Sequence, residues 1–169
     1  MIYMEQNTPI YGEELSPTLF SCMDTTSTSY PIQIVSTGLK DIIYPVDTLT
    51  QLESLQPDFK AMSELSKQLD VVGIHAFTLT PDKDITAICR NFAPLYGIDE
   101  ESATGTASCA LACYLFKHQN KQKEYTFEQG YNLNSISLIT VKLEYQEDTI
   151  QEVYVGGKGY LVCEKDIEV

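Results

Sequence analysis

The feature that most constrains the fold is an apolar run in the second half of the chain. Between Cys109 and Phe116 no residue is charged, and a helix drawn through residues 104–118 would have no polar face there. A helix on a protein surface keeps one polar face, so this helix is predicted to be buried on most sides, with strands wrapped around it. The run is far too short to span a bilayer.

The start of this predicted helix carries only small residues. They are Thr104, Gly105, Thr106 and Ala107. Such side chains leave the first backbone N–H groups uncovered, and a helix N-terminus has orphan donors and a partial positive charge. If this end opens into a cleft, it is a ready site for an anion. The other interpretation is an ordinary N-cap by Ser102 or Thr104, with small residues present for packing, and the pattern leaves both open.

Three acidic residues directly precede the helix. They are Asp99, Glu100 and Glu101. One interpretation is solvated charge that complements the helix dipole. The other makes one of them a proton carrier at the mouth of a site.

The rest of the chain reads as strands with two short helices. Strands are predicted at 1–4, 33–35, 41–46, 71–80, 85–92, 124–129, 136–144, 149–155 and 159–164, with turns at 36–38 and 156–159 and mostly loop at 5–31. Asp47 is predicted to cap one helix, and Pro57 and Asp58 to begin the other. Because the strands do not alternate regularly with helices, the order predicts an α+β fold with a mostly antiparallel sheet.

The charge of the chain excludes two classes of partner. Eleven Lys and Arg residues against 24 Asp and Glu residues give a formal net charge of −13. Nucleic-acid binders present a basic stripe and anionic membranes attract basic segments, so neither nucleic acid nor a membrane is expected as a partner. Arg90 is the only arginine, and any bidentate guanidinium contact with a carboxylate would have to use it.

The N-terminus and the cysteines favour a cytoplasmic protein. Residues 1–6 lack the basic and apolar regions of a signal peptide. The cysteines are Cys22, Cys89, Cys109, Cys113 and Cys163. Because their number is odd and no C-x-x-C occurs, they are interpreted as buried, reduced thiols. The sequence has no Cys/His cluster with metal-ligand spacing, so no metal is expected.

Four segments resemble the phenazine-biosynthesis PhzF-like proteins, which share the diaminopimelate epimerase fold. They are residues 34–38 (IVSTG), 90–107 (RNFAPLYGIDEESATGTA), 127–130 (FEQG) and 153–157 (VYVGG). The second segment matches the family pattern R-x-F-A-P-x-x-G-I-x-E-[DE]-x-A-T-G-[ST]-A, with Glu101 where many members have Asp and Thr106 where many have Ser. All four occur in the family's order and spacing, so the resemblance covers nearly the whole chain from Met4 onward.

The resemblance implies a fold of two similar lobes, each a sheet wrapped around a central helix. In the family, the two helix N-termini face each other across a cleft and hold the acid group of the substrate, and isomerisation proceeds by proton transfer without a metal or organic cofactor. The resemblance identifies Glu101 as the acid/base residue and Thr106 as its hydroxyl partner. The implied substrate-binding residues are Thr104, Gly105, Ala107, Ser36, Thr37 and Gly38.

The match is to the second, C-terminal lobe, so residues 1–169 are predicted to be one lobe, with 1–30 as a crossing strand and loop and 31–169 as the main lobe. The first lobe and its catalytic glutamate are expected to be absent. Two hypotheses follow: half of an isomerase for a small carboxylic acid, inactive alone, or a non-catalytic truncated or split lobe that binds a small acid or self-associates. Both predict a homodimer or a complex with a separate first-lobe chain, because a lone lobe would expose the apolar surface that normally faces its partner.

Overall fold

The fold is known from a computed structural model that describes residues 1–25 and 29–159. Within these residues the strands are β1 (Ile2–Gln6), β2 (Ile10–Leu15), β3 (Ile32–Ser36), β4 (Lys40–Pro45), β5 (Gly73–Leu79), β6 (Ala87–Ala93), β7 (Ile98–Glu101), β8 (Glu124–Gln129), β9 (Ser137–Gln146) and β10 (Thr149–Gly157). The α-helices are α1 (Leu49–Ser54), α2 (Phe59–Leu69) and α3 (Gly105–His118).

All ten strands belong to one sheet. Its order is β1-β10-β9-β8-β6-β5-β4-β3-β2, with β7 paired to β6. Among the described strands, β4–β5 and β6–β8 pair in parallel, and the remaining neighbours are antiparallel. The predicted α+β class with a mostly antiparallel sheet is therefore confirmed.

The chain connection between β1 and β2 shows that this sheet must be curled. These two strands are its opposite edges, yet only residues 7–9 separate them in the chain. Four Cα–Cα steps reach at most about 15 Å, whereas the outer strands of a flat nine-stranded sheet would lie roughly 38 Å apart. The sheet therefore curls until its two edges come close together.

Helix α3 fills the inside of this curl. Every residue from Ala107 to Phe116 is buried, and the helix contacts β3 and β4 on one side and β9 and β10 on the other. Each buried Leu such as Leu111 contributes roughly 1.5–3 kcal/mol through loss of apolar surface from water. The helix predicted to be buried on most sides is thus buried over residues 107–116.

The second face of the sheet packs against α1 and α2, and this sets the direction of each side chain in β4. Ile42 and Tyr44 belong to the core beneath α1 and α2, while Ile43 belongs to the core around α3. Because side chains alternate along a strand, Asp41 points to the same side as Ile43. It therefore faces the start of α3 rather than solvent.

Two predicted helix starts had different outcomes. Asp58 caps α2 as expected, since its carboxyl group accepts hydrogen bonds from the backbone N–H groups of Lys60 and Ala61 at 3.1 and 3.0 Å. Asp47, predicted to cap α1, does not. Thr48 does so instead, because its hydroxyl lies 3.2 Å from the N–H of Gln51.

Two strand assignments also needed correction. Residues 10–15, predicted to be loop, form β2, which among the described strands pairs with β3 alone. Gly156 and Gly157, predicted to lie in a turn, continue β10 and pair with β1. A Cβ atom on Gly156 would stand 2.4 Å from the ring of Tyr3, so glycine is what lets β1 pack there. The predicted strand at 159–164 falls almost wholly outside the described residues.

Candidate functional site at the start of helix α3

A cavity of about 480 Å³ opens at the N-terminus of α3. Its rim is apolar and exposed, and includes Met4, Leu39, Tyr96 and Ile98. Its polar lining comes from three strands and the helix start: Asp41, Asn91, Glu101, Thr104, Gly105 and Thr106. A second cavity of about 620 Å³ shares Met4, Ala103 and Gly105 with the first. The start of α3 therefore borders two open cavities.

The N-terminus of α3 has no side-chain cap among the described residues. Thr104 occupies the N-cap position with extended backbone, but its hydroxyl donates to Glu101 Oε2 at 2.8 Å instead. Thr104 is therefore the N-cap residue by position, as one interpretation expected, but its side chain makes no capping hydrogen bond, and Ser102 is not the N-cap. Because Gly105 and Thr106 line the cavity, the positive end of the helix dipole points toward that space.

Glu101 is held by two neighbours. Its carboxyl group accepts a hydrogen bond from the Thr104 hydroxyl, and its backbone carbonyl accepts one from Gln129 Nε2 at 2.6 Å. The same amide nitrogen donates to the Thr104 hydroxyl oxygen at 3.0 Å. Gln129 at the end of β8 therefore fixes Thr104, and Thr104 in turn orients the Glu101 carboxyl group.

Gly130 makes this position of Gln129 possible. Its φ is +97°, and a Cβ atom there would stand 2.2 Å from the carbonyl oxygen of Ser135. Both facts require glycine. The E-Q-G segment thus supplies a positioning residue, Gln129, and the turn that follows it.

Asp41 is the most buried carboxyl group of the site. Only 2% of its surface is exposed, and within the described part of the chain no hydrogen bond reaches its carboxyl group. Burial, together with the nearby charge of Glu101, raises its pKa to about 7. A carboxyl group in this environment titrates near neutrality instead of in the acid range.

His75 lies behind the cavity lining. Its Nδ1 is 3.0 Å from Asn91 Oδ1, while Nε2 has no partner within residues 1–25 and 29–159. Complete burial lowers the pKa of this imidazole to about 4, so it is neutral at pH 7. Asn91 lines the cavity and His75 does not, so the hydrogen bond to Asn91 is what connects His75 to the cavity lining.

Arg90 is not available to a ligand. Its Nε and Nη2 donate to the two carboxyl oxygens of Glu100 at 2.9 and 2.8 Å, and Nη1 donates to the carbonyls of Leu52 and Leu55 at 3.0 Å. The guanidinium ion thus joins β6 and β7 to the end of α1. The interpretation of Glu100 as solvated charge is wrong, because Arg90 neutralises it in a buried pair.

The cavity brings together four of the residues singled out in the sequence: Glu101, Thr104, Gly105 and Thr106. Thr37 reaches the same helix turn, where its hydroxyl donates to the carbonyl of Thr106 at 3.3 Å. The side chain of Ala107 is fully buried beneath the cavity. Ser36 and Gly38 are not part of the cavity lining; the N–H of Gly38 donates to the Ser36 hydroxyl at 3.2 Å.

Sequence reasoning missed three contributors: Asp41, Asn91 and Gln129. A signal was present for the first, since alternation along 41–46 places an acid on the same face as the buried Ile43. Asn91 and Gln129 lie inside segments that carried the resemblance, but no pattern gave them a role.

Three further expectations can be compared with the structure. Cys22, Cys89, Cys109 and Cys113 are buried free thiols, as predicted, while Cys163 lies outside the described residues. In the described ranges no three His, Cys, Asp or Glu side chains are grouped as metal ligands would be. No helix among these residues has the length and apolarity needed to cross a membrane.

Comparison with known proteins gives a consistent match. The family model described as "Phenazine biosynthesis-like protein" (PhzC-PhzF) matches residues 4–165. An uncharacterized isomerase of Clostridium acetobutylicum is 32% identical over 145 residues, which cover 82% of this chain and 48% of that protein. A trans-2,3-dihydro-3-hydroxyanthranilate isomerase of Pseudomonas chlororaphis is 27% identical over 143 residues, covering 83% of this chain and 49% of that protein. The chain therefore spans about half the length of these relatives.

The fold has a solved counterpart. The crystal structure of a phenazine biosynthesis protein of the PhzF family from Bacillus anthracis superposes with a TM-score of 0.78 at 24% identity. The match covers 90% of this chain and 56% of that one. At this identity the likeness establishes the fold, while the family is established by the sequence match.

Proposed function

The chain belongs to the PhzC-PhzF family of phenazine biosynthesis-like proteins, and on that premise we propose that it forms half of an isomerase that moves a proton on a small carboxylic acid. We propose further that residues 1–169 are one diaminopimelate epimerase-like lobe, the second of the family's two. The observation that carries the proposal is the uncapped start of α3, which meets Glu101 at a single cavity.

The substrate's acid group binds at the helix N-terminus. The backbone N–H groups of Gly105, Thr106 and Ala107 are the orphan donors of that end, and the helix dipole adds to their attraction for a carboxylate. These groups also stabilise negative charge that develops on the acid group when a neighbouring C–H bond loses its proton. No cofactor is required for such a step.

Glu101 is the acid/base residue. Thr106, expected to be its hydroxyl partner, lines the same cavity and would present its hydroxyl to the ligand, while the hydroxyl that binds the Glu101 carboxyl is that of Thr104. Support for Glu101 comes from its place on the cavity wall and from the hydrogen bond with Thr104 that orients its carboxyl group. A positioned carboxyl group of this kind contributes roughly 10²–10⁴-fold to proton transfer. The cavity of about 480 Å³ is of the size that holds a small organic acid.

The apolar rim indicates that another surface covers the site. Met4, Leu39, Tyr96 and Ile98 surround one cavity, and Ile136 and Leu138 border the other, and all six side chains are exposed. Contiguous apolar surface of this kind is usually an interface. We propose that a first lobe covers it, as a separate chain or as a further part of the same protein, and that a homodimer is the arrangement to expect when no first lobe is present.

The alternative function is a non-catalytic lobe that binds a small acid or self-associates. The openness of the site favours it, because the exposed side chains of the rim leave the cavity in contact with water. Electrostatic catalysis depends on a site from which water is excluded. The two functions therefore differ in whether a covering surface is present.

Binding of an acid tests the site itself. We expect anthranilate, added to the ¹⁵N-labelled chain, to shift the amide signals of Gly105 and Thr106 first. Benzamide, which is similar in size but uncharged, serves as the control and should leave these signals in place. Shifts confined to residues far from the helix start would remove the proposed binding mode.

Association tests the covering surface. Sedimentation of the purified chain at micromolar concentration should show a dimer, and replacing Leu138 by aspartate should move it to monomer. Glu152→Gln, in an exposed part of β10, is the control that should sediment like the wild type. A stable wild-type monomer would contradict the homodimer and leave a separate first lobe as the covering surface.

A further inference from the structure

We propose that Asp41, in its carboxylic acid form, donates a hydrogen bond to a carboxylate ligand held at the start of α3, so that the ligand binds together with one proton. This assignment rests on the proposed function, since it names a further binding residue of the same site. It makes Asp41 a substrate-binding residue in addition to those that the family resemblance implies.

The first support is geometric. Asp41 lines the same cavity as Gly105 and Thr106, and strand alternation directs it toward α3, because it lies on the side of Ile43. Only 2% of Asp41 is exposed, and no described side chain or backbone group gives its carboxyl group a hydrogen bond. Its oxygens are nevertheless not among the fully enclosed atoms of the described residues that lack a partner, so they meet the open cavity. Since polar groups in such places nearly always have a partner, a ligand that displaces water from the cavity would supply one.

The second support is the charge balance of the cavity. The titratable groups near Asp41 are Glu101 across the cavity on β7, His75 on β5 and the phenol of Tyr96 at the rim. The imidazole is neutral above pH 5, since burial lowers its pKa to about 4. Lys40, the next residue, is exposed and paired with Asp70. Within the described residues no cation therefore faces Asp41.

A charged Asp41 would repel the ligand. The partial positive charge of a helix N-terminus amounts to about half a unit, which is smaller than the combined negative charge of two carboxylates and a bound acid. A protonated Asp41 removes one negative charge and supplies a donor. Since burial and Glu101 raise the pKa of Asp41 to about 7, this proton is available at neutral pH.

The experiment measures the affinity of the whole chain for anthranilate, whose carboxylate stays ionised between pH 6 and 8. Dissociation constants come from the amide shifts of Gly105 and Thr106. For the wild type we expect binding about tenfold weaker at pH 8 than at pH 6, because only about a tenth of Asp41 is protonated at the higher pH. Asp41→Asn should bind at both pH values as tightly as the wild type does at pH 6, since the amide donates without titrating.

Two variants separate the donor from mere loss of charge. Asp41→Leu has a similar volume but no donor, and should bind at least tenfold more weakly than Asp41→Asn at both pH values. Asp99→Asn makes the same chemical change at an exposed position on β7 and should keep the wild-type pH dependence.

A measurement on the wild type alone covers the case in which the Asp41 variants do not fold. Calorimetric titration in two buffers of different ionisation enthalpy counts protons taken up on binding, and we expect uptake of most of a proton at pH 8 and almost none at pH 5.5. Anthranilate binding at Gly105 and Thr106 without proton uptake, or with equal affinity at pH 6 and 8, overturns the role of Asp41 and leaves the proposed function standing. Absence of binding at every pH overturns both.

Discussion

Replacing Glu101 by glutamine is expected to slow proton exchange on the substrate by about 10²–10⁴-fold in the assembly that contains both lobes. Glutamine keeps the shape of the side chain, and its amide oxygen can still accept a hydrogen bond from the Thr104 hydroxyl. The site therefore remains assembled. Glutamine cannot take up or return a proton. The loss therefore belongs to the chemical step, and the affinity for the acid should not fall, because the variant has one negative charge fewer beside the bound carboxylate.

The measurement is incorporation of deuterium from solvent into a candidate acid, followed by mass spectrometry. Asp99→Asn is the matched control, because Asp99 is an exposed acid two residues away, and it should exchange at the wild-type rate. Under the proposed function a first lobe supplies the base on the other side of the substrate, so the chain alone is expected to give no exchange above background. Exchange by the chain alone that disappears in Glu101→Gln would contradict the proposal that two lobes are needed.

Replacing Arg90 by methionine should have the largest effect on stability, lowering the free energy of unfolding by about 3–5 kcal/mol. The side chains of Arg90 and Glu100 are only 7% and 10% exposed. Without the guanidinium ion, Glu100 becomes an unpaired buried charge, and the carbonyls of Leu52 and Leu55 lose their donor. Both costs arise in the folded state alone.

Urea denaturation measures this loss, provided that the slope of the unfolding free energy against urea concentration is the same for wild type and variant. Lys40→Met is the control, since it breaks the exposed pair with Asp70 and should leave the free energy of unfolding nearly unchanged, because solvent screens such pairs. Adding Glu100→Leu to Arg90→Met should restore part of the stability, because the unpaired charge is then gone. A loss below about 1 kcal/mol for Arg90→Met would show that water reaches Glu100 and that the pair is not buried in solution.

Local pattern was enough to predict the elements whose environment is uniform. A helix with no polar face between Cys109 and Phe116 can only be buried, and the strong alternation of Ile139, Val141 and Leu143 can only be a half-buried strand. In these cases the order of polar and apolar residues along the element indicates which side is exposed to water.

Elements that depend on a distant partner could not be predicted in this way. The strand β2 carries Gly12 and two glutamates and pairs on one side, so its composition resembles a loop. Gly156 resembles a turn residue until Tyr3, at the other end of the chain, is seen to lie over it. Such features follow from tertiary contacts between residues far apart in the chain, and the local sequence pattern does not reveal these contacts.

The candidate site likewise has one part that local sequence pattern predicts and another that depends on tertiary contacts. The helix start was recognisable because a run of small residues at a helix N-terminus leaves the backbone N–H groups accessible whatever the surrounding fold. The role of Arg90 was not, since a lone arginine in an acidic chain is equally suited to a ligand and to an internal acid, and only the pairing of β7 with β6 brings Glu100 to it. Gln129 could not be recognised either, because it acts from the end of β8 through a hydrogen bond to the Thr104 hydroxyl.

The two buried titratable groups of the site also determine how the fold responds to acid. The carboxyl of Asp41 binds its proton more tightly in the folded state, with a pKa raised from 3.8 to about 7, so its contribution to stability falls as pH rises through that window. The imidazole of His75 binds its proton less tightly in the folded state, with a pKa lowered from 6.5 to about 4, so its contribution rises as pH rises through that window. Between about pH 4 and 6.5 the two slopes have opposite signs and cancel. A carboxyl group and an imidazole on the same face of one sheet thereby compensate each other, so a fold that buries both loses less stability on acidification through this range than a fold that buries His75 alone.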